Sequence, residues 1–170
     1  TGDQFGVGVS LDGNRLIVGA NKDDGFGNVT TDTGAAYLFT FSDDSFSTPN
    51  LEAIIGSGYN VGNTGRINDI DIASSLVDFD AFAEVVSLSG TQLAVKAGDD
   101  GILGATSGAG SAMLFTFSDT VFNGGVHVGT IGQGYAGVND YDLALEAGDS
   151  FGSVSLDGNR LAIGASGDDG

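Results

Sequence analysis

The composition of this 170-residue chain, of which 41% is hydrophobic, supports packed cores and excludes a wholly disordered protein. The net charge of -18 comes from 23 acidic residues against five basic ones, so the surface repels nucleic-acid phosphates and anionic membranes. The chain has no cysteine, which excludes disulfides and thiol chemistry, and no stretch reaches the roughly 18 apolar residues of a membrane helix.

The first predicted elements are β-strands. Asp12-Gly13 is a tight hairpin turn between two alternating segments, and Asp23-Asp24-Gly25 is a polar turn that ends the second segment. Two further strands follow before the midpoint of the chain. The four predicted strands span residues 5–11, 15–20, 35–41 and 51–55.

The third predicted strand is apolar on both of its faces. Tyr37 and Phe39 lie on one face, and Ala36 and Leu38 lie on the other. Strands with apolar residues on both faces are typical of sheets that are covered on both sides. The pattern therefore predicts a small sheet packed between two neighbours.

Connecting segments follow the fourth strand and its later counterpart. Residues 67–77 and 138–146 alternate aspartate with apolar residues, which predicts either an extra strand or a short helix in each.

The chain repeats itself. Residues 2–6 return in nearly the same form at 148–152, and residues 10–16 return unchanged at 155–161. A more divergent copy lies between them, with Phe82-Ala83 at the Phe-Gly position. Successive copies are separated by roughly 70 to 76 residues. So many matches in a fixed order indicate tandem repeats.

We therefore expect an all-β protein built from tandem, four-stranded antiparallel sheets like the blades of a β-propeller. Residues 1–78 form the first predicted repeat, 79–146 a divergent second and 147–170 the first third of another. Both a closed propeller and an open stack satisfy this pattern. We also expect the sequence to be a window of a longer chain.

Two dipeptides carry a family resemblance. Phe5-Gly6 is followed by Gly19-Ala20, and Phe151-Gly152 is followed by Gly164-Ala165, an order that resembles the FG-GAP repeat. The resemblance implies the β-propeller repeat of integrin α-subunits and of large bacterial surface proteins.

This sequence departs from that family in two respects. The hairpin at residues 11–15 lacks the calcium loop that integrin-type repeats often carry there, so that site does not transfer. The middle copy has Ala83 and Lys96 in place of the signature glycines.

The Asp-Asp-Gly turns are the candidate metal sites, because paired carboxylates in a loop are ligands for Ca²⁺. An alternative interpretation is that each aspartate caps its turn while the glycine takes a positive φ. The candidate calcium ligands are Asp23, Asp24, Asp99, Asp100, Asp168 and Asp169. Asp32 is a further aspartate that could complete the first site.

No grouping of residues predicts catalysis, so we expect that the protein is not an enzyme. The single histidine, His127, has no nucleophile partner in the sequence. Residues 132–137 fit G-x-G-x-x-G, but the motif recurs as a repeat feature instead of opening a helix after a parallel strand. Tyr59 and Tyr135 precede Gly-rich loops and are interpreted as structural, with sugar stacking as the alternative.

The sequence thus favours an extracellular or cell-surface structural or adhesive protein, part of a surface fibre or large adhesin. Its expected partners are neighbouring repeats or further copies. The alternative is a propeller that binds a protein or glycan ligand and is stabilised by calcium. A weaker third interpretation is a non-catalytic module attached to a secreted hydrolase. Nucleic-acid binding and membrane insertion are not expected.

Overall fold

Two five-stranded sheets and one hairpin make up the computed structural model, which describes residues 2–98 and 108–169. The first sheet contains strands β1 (Phe5–Asp12), β2 (Arg15–Ala20), β3 (Ala35–Thr40), β4 (Asn50–Gly56) and β5 (Ile70–Asp71). A four-residue helix, α1 (Val61–Thr64), lies between β4 and β5. None of the helical structure in the described residues is long and apolar enough to cross a membrane.

The second sheet repeats the order of the first. It contains β6 (Val86–Ser89), β7 (Gln92–Ala97), β8 (Ser111–Thr116), β9 (Val126–Gly132) and β10 (Tyr141–Asp142). A third unit follows as a single hairpin, formed by β11 (Phe151–Asp157) and β12 (Arg160–Ala165). The all-β prediction is confirmed, and the sheets do not close into a ring.

The hairpin turns form where the sequence predicts them. Gly13 has φ 60°, and the corresponding Gly90 and Gly158 have φ 57° and 58°. This left-handed conformation costs glycine nothing, and it gives a two-residue turn the twist of its flanking strands. In each copy the residues beside the turn then pair across the hairpin, as Leu11 does with Leu16.

The fifth strand of each sheet lies in the segment for which the sequence predicts either an extra strand or a short helix. Ile70 pairs in parallel with Ile55 of β4, and Tyr141 pairs in parallel with Ile131 of β9. Each sheet is therefore four antiparallel strands with a short parallel edge strand. The connection that leads to β5 also contains α1, whereas none of the residues between β9 and β10 is helical.

The three units stack face to face, and each contact between successive units is called a junction here. Ile17 and Leu38 of the first sheet pack against Val95 and Phe115 of the second in one buried cluster. A second cluster joins the other face of the second sheet to Phe151 of the hairpin. The second sheet is thus covered on both faces, which is the arrangement predicted from the apolar pattern of the third strand in the first repeat.

Equivalent residues differ in burial along the stack. Phe5 is 60% exposed, whereas Phe82 at the same repeat position is 0% exposed and Phe151 is 8% exposed. Phe46 is exposed while its counterpart Phe122 is buried. The face of the first sheet that points away from the second is therefore an apolar surface, which is buried in the other repeats.

Candidate functional site

The first candidate calcium ligand, Asp23, lies buried in the turn after β2. Tyr37 Oη donates to Asp23 Oδ2 at 2.7 Å, and Tyr59 Oη lies 3.0 and 3.1 Å from the two carboxylate oxygens. The backbone N–H of Gly25 donates to Oδ1 at 2.9 Å. Both oxygens of Asp23 thus accept protein hydrogen bonds.

The two tyrosines are held in their neutral form. Burial, followed by hydrogen bonding to Tyr59 and to Asp23, raises the pKa of Tyr37 well above its ordinary value. Burial is also the largest cause that raises the pKa of Tyr59 to about 12, with the charge of Asp23 adding to it. A neutral phenol is a hydrogen-bond donor, so this arrangement supports the turn-capping interpretation of Asp23.

The neighbouring aspartate, Asp24, also accepts a hydrogen bond from the protein. Asp24 Oδ1 accepts the backbone N–H of Asp32 at 2.9 Å, and Lys22 Nζ lies 3.5 Å from Asp32 Oδ2. In the described residues, no three acidic or imidazole side chains group closely enough to hold a metal ion.

The other candidate ligands lie in the corresponding later turns. Asp168 and Asp169 are exposed, and Asp99 and Asp100 lie outside the described residues. Calcium at these turns stays a prediction.

Several aspartates have a structural role that was not predicted from the sequence. Asp69 Oδ1 accepts the N–H of Ile54 at 2.7 Å, and Asp140 Oδ1 accepts the N–H of Thr130 at 2.7 Å in the second sheet. These bonds occupy equivalent positions and fix the connection after the fourth strand. Recurrence of an aspartate in each copy was the sequence signal for this role. Part of the acidity thus serves backbone hydrogen bonding.

The junctions contain a second set of recurring polar contacts. Ser10 Oγ of β1 accepts the N–H of Leu88 in β6 at 3.0 Å. One repeat later, Ser87 Oγ of β6 accepts the N–H of Leu156 in β11 at 2.9 Å. The first strands of successive units therefore lie side by side in the same register at both junctions.

The hairpin turns add a further contact at each junction. Asp12 Oδ2 accepts the N–H of Gly90 at 2.7 Å, and Ser89 Oγ accepts the N–H of Gly158 at 3.0 Å. In the first junction Arg15 also donates to the carbonyl oxygen of Gly90 and forms an ion pair with Asp12 at 2.5 Å.

The guanidinium of Arg15 also lies over an aromatic ring of the second repeat, 5.9 Å from the ring centre of Phe122. The same Asp-Gly-Asn-Arg segment recurs in the third repeat. This recurrence was the sequence signal that Arg15 has a structural role.

Each junction also requires glycine at more than one position, and one of these glycines at each junction belongs to the Phe-Gly or Gly-Ala dipeptide. A Cβ on Gly19 would overlap the carbonyl oxygen of Ala83, and a Cβ on Gly152 would lie 2.7 Å from Lys96 Cγ. Lys96 crosses the second junction, with Nζ 3.0 Å from Glu84 Oε2 and donating to the hydroxyl of Ser150. Where the middle copy lacks a signature glycine, the residue that faces this position across the junction is thus a glycine.

A polar cavity of about 290 Å³ lies between the connection after the first sheet and strand β9. His127 Nε2 is 3.0 Å from Thr130 Oγ1 and 3.1 Å from the carbonyl oxygen of Gly129. Burial is the main cause that lowers the pKa of His127. The cavity is lined by Ser74, Ser75, His127, Thr130, Tyr135, Ala136 and Asp140.

The G-x-G-x-x-G segment that ends at residue 137 is not followed by a helix in the described residues. A Cβ on Gly132 would lie 3.1 Å from the ring of Tyr135, and one on Gly56 would lie 3.0 Å from the ring of Tyr59. The first glycine of the motif therefore makes room for a tyrosine ring in both repeats.

Comparison with known proteins finds a match within the first of these units. Residues 1–39 match the family model of the FG-GAP repeat. No curated protein matches the chain. The matched segment contains β1, β2 and nearly all of β3, together with the Phe-Gly and Gly-Ala dipeptides that carry the resemblance in sequence.

Proposed function

We propose, on the premise that this chain is an FG-GAP repeat protein, that it is a structural or adhesive component of the cell surface. In this role the stacked sheets form part of a surface fibre or a large adhesin and catalyse no reaction. The observation that carries the proposal is the repetition of one junction. The contact of Ser10 with Leu88 returns as the contact of Ser87 with Leu156.

Repetition of one contact suits an array. A repeat that buries its apolar face only against its neighbours is stable when several are joined, so its natural product is a long stacked body. The second sheet, which is covered by the first sheet on one face and by the hairpin on the other, is the observed case of such a repeat. The net charge of -18 favours a well-hydrated surface that resists nonspecific association.

Electron microscopy of the native protein tests this proposal. We expect regular filaments or elongated particles at the cell surface, and protease treatment of intact cells should remove the protein. Compact single rings inside the cell would contradict it. Repeating the microscopy with calcium and then with a chelator tests the calcium prediction, since loss of filaments in chelator alone would place calcium in the assembly.

A second candidate function is ligand binding by the polar cavity. His127, Thr130, Tyr135 and Asp140 bring hydroxyl, carboxylate, imidazole and aromatic groups to one opening, and such groups are typical of sites for polar ligands such as glycans. Glycan and protein binding screens with the wild type and Tyr135→Ala test this candidate. A ligand whose binding the substitution abolishes would support it, and the absence of any ligand would remove it.

A further inference from the structure

We propose that ligand binding by this protein resides in its divergent second repeat, whose polar cavity takes one neutral sugar residue of a glycan. The inference rests on the second candidate function, which is ligand binding by that cavity. The cavity lies at the first junction, and its walls come from the connection after the first sheet and from the second repeat. It is therefore formed between two units that are stacked on each other in this chain.

Two differences between the repeats make this cavity polar. His127 of β9 stands where the first repeat has Leu51, and Thr130 stands where it has Ile54, as the pairing of each with the third strand of its sheet shows. Two aliphatic side chains of the first repeat are thus replaced by groups that form hydrogen bonds. The exchange gives the second repeat a chemical property that packing alone does not require.

The imidazole of His127 is held in one orientation. Its Nε2 lies 3.1 Å from the carbonyl oxygen of Gly129 and 3.0 Å from Thr130 Oγ1, and the ring's hydrogen bonds within the described residues are these two. Because a carbonyl oxygen only accepts, Nε2 carries the proton, and Nδ1 is left as an acceptor. The ring also rests against Phe115, with the ring centres 5.1 Å apart. Burial lowers the pKa of His127, so the ring keeps this neutral form at neutral pH.

The cavity has a buried floor and an open mouth. Thr130 at the floor is 1% exposed, whereas Ser74 and Ala136 at the mouth are exposed. The volume of about 290 Å³ is close to the lower end of the range of about 300–1,000 Å³ that is typical of small-molecule sites. The space therefore suits a single sugar ring, and the rest of a longer glycan would extend from the mouth into solvent.

The lining combines polar groups with one aromatic ring. Ser74 and Ser75 carry hydroxyl groups, which donate or accept hydrogen bonds, and Nδ1 of His127 accepts them. Tyr135 contributes the apolar surface of a ring that is held beside Gly132. A sugar ring has hydroxyl groups around its edge and C–H groups on its faces. It is therefore complementary to this combination of residues.

The charge of the cavity favours a neutral ligand. Asp140 Oδ1 accepts the N–H of Thr130 at 2.7 Å, and Asp140 Oδ2 accepts the N–H of Gly137 at 2.8 Å. Both oxygens are thus already hydrogen-bonded, which weakens the case for a bound cation. The negative charge of this carboxylate, in a chain of net charge -18, repels an anionic ligand. A sugar that carries a carboxylate is therefore expected to bind less well than its neutral counterpart.

Imidazole nitrogen NMR of the full chain tests the inference, because His127 is the one histidine of the sequence and its signals report on this cavity alone. The neutral probes are glucose, galactose, mannose and N-acetylglucosamine. Glucuronate and galacturonate are the matched acidic probes, which differ from glucose and galactose by a carboxylate. We expect at least one neutral sugar to shift the Nδ1 signal until it saturates, and its acidic counterpart to leave the signal unchanged.

A double variant tests whether the polar groups carry the binding. His127→Leu combined with Thr130→Ile gives β9 the side chains that the first repeat has at these positions, so we expect it to fold, and thermal unfolding checks this. Saturation-transfer NMR should show the neutral sugar bound at least about tenfold more weakly, because the acceptor is lost. The matched control is Thr120→Ala, which changes an exposed threonine between β8 and β9 and should bind as the wild type does. Equal binding by the double variant and the control would overturn the proposal.

The outcomes separate this inference from the function on which it rests. An acidic sugar that shifts the His127 signal when no neutral sugar does would overturn the neutral-sugar assignment and leave ligand binding by the cavity intact. A neutral sugar that binds without changing this signal would overturn the assignment of the cavity. No binding of any sugar would overturn the inference, whereas a protein ligand that the Tyr135→Ala variant fails to bind would still support the second candidate function.

Discussion

Gly19 and Ala83 lie in direct contact across the first junction, where a Cβ on the glycine would overlap the alanine's carbonyl oxygen. Because the obstacle is backbone, the neighbour cannot move aside by changing a rotamer. Gly19 is therefore a steric requirement of stacking at this junction, as well as a residue of its own strand.

This contact predicts the effect of adding a methyl group. Gly19→Ala should lower the free energy of unfolding by about 1–3 kcal/mol through overpacking. The matched control is Gly164→Ala, at the same position of the third unit, where the nearest atom to the added Cβ is 3.7 Å away. Urea denaturation should show the control close to the wild type, and equal losses at the two positions would contradict the role of the junction.

The aromatic position of the Phe-Gly dipeptide gives a second matched pair. Phe151→Ala should lower the free energy of unfolding by about 3–5 kcal/mol because the ring is buried against the second sheet. Phe5→Ala should cost less than about 1 kcal/mol because its ring is largely exposed. Similar losses measured by urea denaturation would mean that the outer face of the first sheet is already covered in solution.

Arg15 stabilises the first junction through charge-assisted hydrogen bonds. Arg15→Gln should lower the free energy of unfolding by about 1.5–3 kcal/mol, since the contact with the carbonyl oxygen of Gly90 is largely buried. Arg160→Gln, measured in dilute solution, should change it by no more than about 0.5 kcal/mol. Thermal and urea unfolding of the two variants give the comparison, and an unaffected Arg15 variant would contradict this assignment.

The buried phenols predict a loss of stability in alkaline solution. The ordinary pKa of tyrosine is about 10, and the folded-state pKa of Tyr59 is raised to about 12, so ionisation favours the unfolded chain. The stabilisation is complete below about pH 10 and is lost as the pH rises through about 12.

Tyr59→Phe should remove part of this alkaline loss while costing stability at neutral pH, because Asp23 loses a donor. Unfolding measured at several pH values provides the test, with the exposed Tyr141→Phe as control. An unchanged pH profile in the Tyr59 variant would show that its phenol is solvated.

The sequence predicted the parts of this fold that depend on residues close to one another along the chain. The hairpin turns at Gly13 and Gly90 follow from local pattern, as does the covering of the second sheet on both faces, and the structure confirms them. The short parallel strand β5 was left open, because two paired residues produce no periodicity that distinguishes a strand from a helix.

The contacts of the candidate site were harder to predict from the sequence. Asp23 and Tyr59 are separated by 36 residues, and their hydrogen bond depends on how β2 and β4 flank β3 in one sheet. Arg15 and Gly90 are separated by 75 residues and belong to different sheets. Recurrence marked these residues, although the second copy has Gln92 at the position of Arg15, but only the stacking of the sheets shows what they contact.

Where a Gly-Ala position faces a Phe-Gly position across a junction, one of the two residues is glycine, and this restricts how such a gene can grow. Duplication of the second repeat alone would set Lys96 of one copy opposite Ala83 of the next, and neither side would then be glycine. Duplication of the first and second repeats together would keep one glycine at every junction. Lengthening by unequal recombination is therefore expected to add the first repeat alone, which sets Gly19 opposite Gly6, or the first and second repeats together, but not the second repeat alone.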